Sequence, residues 1–299
     1  MQRFTSNSVL ASEIASFLKK ELHGKDIVIY APCNLLTIKD NSLLAIDDIT
    51  SDMLSKIKTF REILVMTKYP VKDEEITYIR TDNPILDLIK TIDEFYVVQI
   101  PPTIDVSAKV DKEAKIGSNV TIMSGCVIGS KVTIGDNCVI SYNTIITGEV
   151  KIGNNCMIKP NAVIGSEIFN FVSSDDGLKQ FPQIGRIILE DDVVIGSNTT
   201  IENGSLSDTT IRKGAKVDDL VNIGSDSVVG ENTMVAAGAV ISRNVTIANN
   251  CWLAPNVSII DNAKIGSAST IGIGSVILHD VEPSTTVAGN PAKILSLKE

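Results

Sequence analysis

The chain has 299 residues, a net charge of −9, and a hydrophobic fraction of 43% in which aromatics contribute only 4%. The acidic balance excludes nucleic acid as a partner, because phosphate contacts require clustered Lys and Arg. No apolar run reaches the length of a membrane span, and the N-terminus lacks a basic, apolar and small-residue signal, so the expectation is a cytoplasmic protein that engages no membrane.

Residues 1–98 are expected to form a small α/β domain. Leu10, Ile14, Phe17, Leu18 and Leu22 recur at helical spacing and lead into the strand-like Ile27-Val28-Ile29-Tyr30. Apolar runs at 43–46, 63–66 and 76–79 alternate with a helical pattern over 51–60. Asn83 followed by Pro84 is a helix start, a capping side chain with proline at the first helical position, and the helix should run through Phe95.

After Pro101-Pro102 the pattern changes. From Ile104 an aliphatic residue returns at every sixth position through Ile164, and again from Ile211 through Ile277. Six matches neither the helical period of 3.6 nor the strand period of 2, so the repeat itself is the structural unit. Four residues after each aliphatic stands a small or β-branched residue, such as Ala108, Cys126, Val150 or Ala239. One large and one small inward residue per side predict a three-sided coil, with glycines such as Gly117, Gly135 and Gly153 turning the corners. Four of the five cysteines, Cys126, Cys138, Cys156 and Cys251, fall at the small inward position and read as core filler, Cys33 being unpaired. No metal site is expected.

Two interruptions break the rhythm. Residues 165–187 are polar, carry Phe169 and Phe171, and should loop outward as a protrusion. A shorter slip surrounds Glu202-Asn203-Gly204-Ser205-Leu206-Ser207-Asp208.

The hexapeptides resemble the left-handed parallel β-helix of the hexapeptide-repeat acyltransferases, over residues 103–293. The fold class this implies is mainly β, a left-handed parallel β-helix with a small N-terminal α/β domain, assembled as a homotrimer. Phe181-Pro182-Gln183-Ile184-Gly185, Thr199-Thr200-Ile201-Glu202-Asn203-Gly204 and Asp218-Asp219-Leu220-Val221-Asn222-Ile223 are similar to the UDP-3-O-acylglucosamine N-acyltransferases of lipid A synthesis. That family's histidine base would fall at Ser225, within Ile223-Gly224-Ser225-Asp226, and its second active-site histidine at about Asn262; this chain has neither. The end, Ala288-Gly289-Asn290-Pro291-Ala292-Lys293, is similar instead to acetyl-CoA-dependent sugar acetyltransferases.

The combined resemblance implies an N-acetyltransferase that moves acetyl from acetyl-CoA to the amine of a nucleotide-linked amino sugar for surface polysaccharide. Asp219 and Asp226 are the candidates to take the proton, unless the leaving thiolate does. Ser225 and the backbone N–H of Arg243 would flank the thioester, or Arg243 is simply a solvated corner residue. Asn83, Phe169, Phe171, Gln183, Glu202, Asn203 and Asn222 would contact the acceptor, with loop anchoring the plainer role for the two phenylalanines. Gly238, Gly272, Gly274, Gly289, Asn290, Pro291 and Lys293 would lie along the coenzyme. Two other readings stand beside this one, a lipid A-type N-acyltransferase using an acyl carrier protein and a non-catalytic repeat protein that binds ligand. The nucleotide, whether uridine, thymidine or guanosine, is left open.

Overall fold

A computed structural model describes residues 3–4, 7–98 and 101–297, and the chain divides into two compact units, 1–100 and 101–299. In the first, a five-stranded sheet has four parallel strands, Ala31–Cys33 at one edge followed by Ser42–Ala45, Leu64–Thr67 and Thr77–Arg80, with Leu22–His23 antiparallel at the other edge. Leu22, expected on the first helix, thus lies in a strand: α1 (Ala11–Leu18) stops at Lys19, which adopts a left-handed conformation. Helix α2 covers Ser51–Ile57 and α3 Pro84–Phe95. The Asn83 side chain caps α3 by accepting from the Leu86 N–H at 3.0 Å. Phe17 of α1 meets Phe95 of α3 edge to face at 5.5 Å, and Ile14, Ile29, Leu43, Leu64, Met66 and Ile79 are buried between helices and sheet.

The second unit is a parallel β-helix. Strands of two to six residues, most of them two or three long, stack into three faces, of nine, eight and ten strands. Three six-residue repeats make one coil and set the pairing register: Ile122 lies over Ile140, and Ile140 over Ile158. Every inward aliphatic from Ile122 to Ile277 is essentially inaccessible to solvent, so a single apolar column runs the length of the unit.

The small inward positions have a second role. Cys126, Cys138, Cys156 and Cys251 direct Sγ at carbonyls of the following coil at 3.0–3.1 Å. Thr144, Ser227 and Thr233 donate Oγ in the same manner at 2.8–3.2 Å. A short donor at this position therefore occupies core volume and also satisfies a corner carbonyl.

The corners differ from the sequence expectation. Gly117, Gly135 and Gly153 do not adopt positive φ; that conformation falls two residues later, on Asn119, Asn137 and Asn155, with φ of 56–58°. Asparagine tolerates the left-handed region, and these side chains link coil to coil, Asn119 Nδ2 donating to Asn137 Oδ1 at 3.2 Å. The glycines are required by close approach instead, since a Cβ on Gly135 would stand 2.7 Å from backbone atoms of Gly153.

After Ser166 the chain leaves the solenoid and rejoins it at Ile187, which pairs with Val150. Within this excursion the protrusion is an ordered antiparallel hairpin, Phe171–Ser174 with Gly177–Gln180, exposed throughout. At the other end of the unit, Thr285–Gly289 extends the ten-stranded face and Ala292–Leu297 folds back along it antiparallel.

Candidate functional site

The two interruptions pack against one another. Ile184 and Gly185 donate backbone N–H groups to Ser205 O, at 2.8 and 3.2 Å. A Cβ on Gly185 would lie 2.0 Å from Ser207 O, so only glycine permits this approach. The Arg186 N–H and guanidinium both engage Asp208, at 3.0 and 2.9 Å. Together they wall a cleft of about 550 Å³ lined by Lys131, Gly148, Glu149, Gln183, Ile184 and Asn203.

Beside this cleft runs the edge where the nine-stranded face turns into the eight-stranded face, carrying Ser166, Glu202, Ser225, Arg243 and Asp261 on successive coils. Glu202 closes the strand Thr200–Glu202 and pairs with Ser166 below it. Its carboxylate accepts the Ser225 N–H at 3.1 Å. Burial pushes the Glu202 carboxyl above the usual carboxylate range; the N–H groups of Ser225 and Phe169 and the Arg243 charge oppose the shift, and Asp261 adds to it.

Three buried side-chain atoms in the described residues lack a hydrogen-bond partner in the chain: Ser166 Oγ, Asn203 Oδ1 and Ser225 Oγ. All three surround Glu202, one as its register partner, one as its sequence neighbour and one within the residue that donates to its carboxylate. Each such atom costs roughly 1–3 kcal/mol, and three in one place distinguish this corner from the regular coils.

The carboxylates first selected from the sequence hold structure. Asp226 turns its corner at φ 62° and accepts from Ser205 N–H at 2.8 Å and Ser207 N–H at 3.1 Å, with both serine hydroxyls as further donors. It is the post to which the 203–208 insertion is tied. Asp219 lies on another edge, between the ten- and nine-stranded faces, accepting Ser197 N–H at 2.7 Å and pairing with Lys159 at 3.3 Å. The fold therefore separates it from Ser225. The Arg243 N–H donates to Asp261 at 3.1 Å, and its guanidinium pairs with the same carboxylate at 2.6 Å. A thioester oxygen would have to displace Asp261 to reach that amide.

Of the proposed acceptor contacts, Gln183, Glu202 and Asn203 come together at the cleft or beside it. Asn222 projects from the nine-stranded face between Thr200 and Val240. Phe169 and Phe171 pack edge to face at 5.3 Å at the base of the hairpin, with Phe169 83% exposed. Asn83 belongs to the first unit as a helix cap. Gly272 donates to Val287 O and Gly289 to Ser275 Oγ, which collects Gly272, Gly274, Gly289, Asn290, Pro291 and Lys293 around the last coil. Gly238 is two coils below, in one column with Asn256 and Gly274 on the edge that also carries Asp219. Sequence reasoning missed Ser166 and Asp261; the first is the last residue before the rhythm breaks, the second stands one coil after Arg243.

Two stretches, 113–148 and 208–243, match the bacterial transferase hexapeptide family of six repeats. Over 129 residues the chain is 36% identical to UDP-3-O-acylglucosamine N-acyltransferase of Methylorubrum extorquens (strain PA1), covering 43% of this chain and 37% of that protein. The namesake enzyme of Francisella tularensis subsp. holarctica (strain FTNF002-00 / FTA) is 47% identical over 70 residues, 23% of this chain and 21% of its own. The chain thus spans little more than a third of the first of these relatives. Among solved structures, the UDP-N-acetylglucosamine acyltransferase of Bacteroides fragilis 9343 superimposes with a TM-score of 0.59 at 26% identity, over 65% of this chain and 74% of that one. The corresponding Acinetobacter baumannii protein gives 0.58 at 26%, over the same shares. The chain carries hexapeptide repeats of the bacterial transferase type on a parallel β-helix and resembles the acyltransferases of that class.

Proposed function

We propose that this chain is an acyltransferase that moves an acyl group from a carrier thioester to the amine of a UDP-linked amino sugar. The observation that carries the reading is the cleft between the two interruptions, with Gln183, Asn203 and Glu149 on its wall and the Glu202 corner beside it. It is concave, polar enough to orient a sugar, and built by two departures from the regular repeat. The names of the relatives support UDP-3-O-acylglucosamine as the acceptor class. Those relatives are named for acyl and not acetyl transfer, which weighs away from an acetyl donor, and an acyl carrier thioester is the donor we propose.

Acetyl-CoA as donor is the second reading, favoured by the hairpin over Gly289–Lys293 and by the open space above Gly274. The backbone there leaves room for a thin coenzyme arm, and Lys293 would add a charge for phosphate. Either donor meets the same acceptor chemistry. An amine has its lone pair available once it has lost a proton, so a weaker base suffices than for a hydroxyl.

The test follows thiol release from acetyl-CoA and from an acyl carrier protein thioester, each with UDP-3-O-acylglucosamine and with unacylated UDP-, dTDP- and GDP-amino sugars. Turnover is expected with a UDP-linked amine and the carrier-protein thioester. Turnover with acetyl-CoA alone selects the second reading, and absence of turnover with every pair overturns both.

A further inference from the structure

We infer that Glu202 is the proton acceptor of the transfer, and that Ser166, Asn203 and Ser225 bind the polar groups of the acceptor around it. The inference rests on the amine-acylation reading above. Its basis is the coincidence of four features at one point of the solenoid.

First, Glu202 is half-buried and held by the Ser225 N–H at 3.1 Å, so its carboxylate has a defined position. Second, the partnerless buried atoms Ser166 Oγ, Asn203 Oδ1 and Ser225 Oγ all belong to its immediate neighbours, and Ser225 is wholly buried. Third, Asn203 lines the cleft, which joins this polar group to a space large enough for a sugar. Fourth, the other carboxylates nearby are engaged: Asp226 by the serines of the insertion, Asp261 by Arg243, and Asp208 by Arg186. Glu149 faces the cleft with Arg186 at 4.0 Å. The charged groups that act on Glu202 are Arg243 and Asp261, with opposite sign.

The step balances simply. The acceptor nitrogen attacks the thioester carbonyl carbon and a C–N bond forms; the nitrogen gives its proton to the Glu202 carboxylate. The tetrahedral centre collapses, the C–S bond breaks, and the departing thiolate leaves as thiol by taking that proton. A carboxyl raised by burial suits both halves, since it receives the proton more readily than an exposed glutamate and can return it.

The test compares wild-type protein with Glu202→Gln and Glu202→Asp, using whichever donor and amine pair the wild type turns over, with Tm and acceptor affinity measured in parallel. Glu202→Gln is expected to keep its fold and its affinity for acceptor while kcat falls about 10²- to 10⁴-fold. The lower ascending limb of the kcat/KM pH profile should vanish with it. Glu202→Asp should retain an intermediate rate with that limb displaced, which keeps the test decisive should the glutamine variant not fold. A Glu202→Gln enzyme within threefold of wild type and with an unchanged profile overturns the inference and leaves the acyltransfer reading standing. A wild type inactive with every pair overturns that reading, and the inference with it.

Discussion

At the scale of single residues, carboxylates of the same type serve opposite ends. Asp226 accepts from two backbone amides and two hydroxyls and holds an insertion in place. Glu202 accepts the Ser225 N–H at 3.1 Å, is further held by the Phe169 N–H, and lies among partnerless groups. A buried carboxyl with a raised pKa costs stability once it must ionise. Between the unfolded glutamate value, near 4.3, and the higher folded value, the native state binds more protons than the unfolded one. The stabilising effect of the neutral form is thus complete at low pH and is lost as pH rises through the folded pKa. Glu202→Gln should consequently melt above wild type at neutral pH, and the gap should close below about pH 4.3. Thermal melts across pH check this; a variant less stable than wild type throughout would contradict it.

At the scale of elements, the corners at Gly117, Gly135 and Gly153 are each shared between two residues. Asparagine takes the left-handed backbone, and a glycine two residues earlier lets the next coil approach. Gly135→Ala is expected to destabilise the solenoid by about 1–3 kcal/mol, the usual cost of forcing a methyl into a packed site. The obstacle is backbone, 2.7 Å from the added Cβ, and cannot rotate away. Urea unfolding with an unchanged m-value measures it. The same rule explains what could be read beforehand. The aliphatic column was legible because each coil repeats the same three-sided burial, whereas the reason for the glycines was not, since close approach is a relation between coils. The hairpin at 171–180 was legible only as a departure; strand pairing in so polar a segment has no hydrophobic signature.

At the scale of the whole molecule, one ladder of the ten-stranded face runs Met157, Val194, Lys216, Met234, Trp252, with Met157, Met234 and Trp252 43%, 46% and 41% exposed. Large apolar residues stacked on a flat face are costly to leave in water. A closed trimer, as the sequence resemblance implies, would cover them, and sedimentation is expected at three times the 32.1 kDa chain mass. Trp252→Glu should shift the population toward single chains, while a wild type that sediments as one chain at all concentrations would exclude the assembly.

The amino-acid sequence by itself determined the β-helix and the places where it breaks, because a repeat that buries one large and one small residue per side must show its period in the chain. It also marked both interruptions that build the cleft. Only the tertiary structure decided which residues meet there. Two insertions of unequal length displace the coils, so that Glu202 faces Ser166 on one side and Ser225, twenty-three residues on, at the other. The same stacking carries Asp219 to a different edge and ties Asp226 to the loop above the cleft. Which carboxylate is free to exchange a proton depends on hydrogen bonds between coils, and those exist only once the coils are stacked.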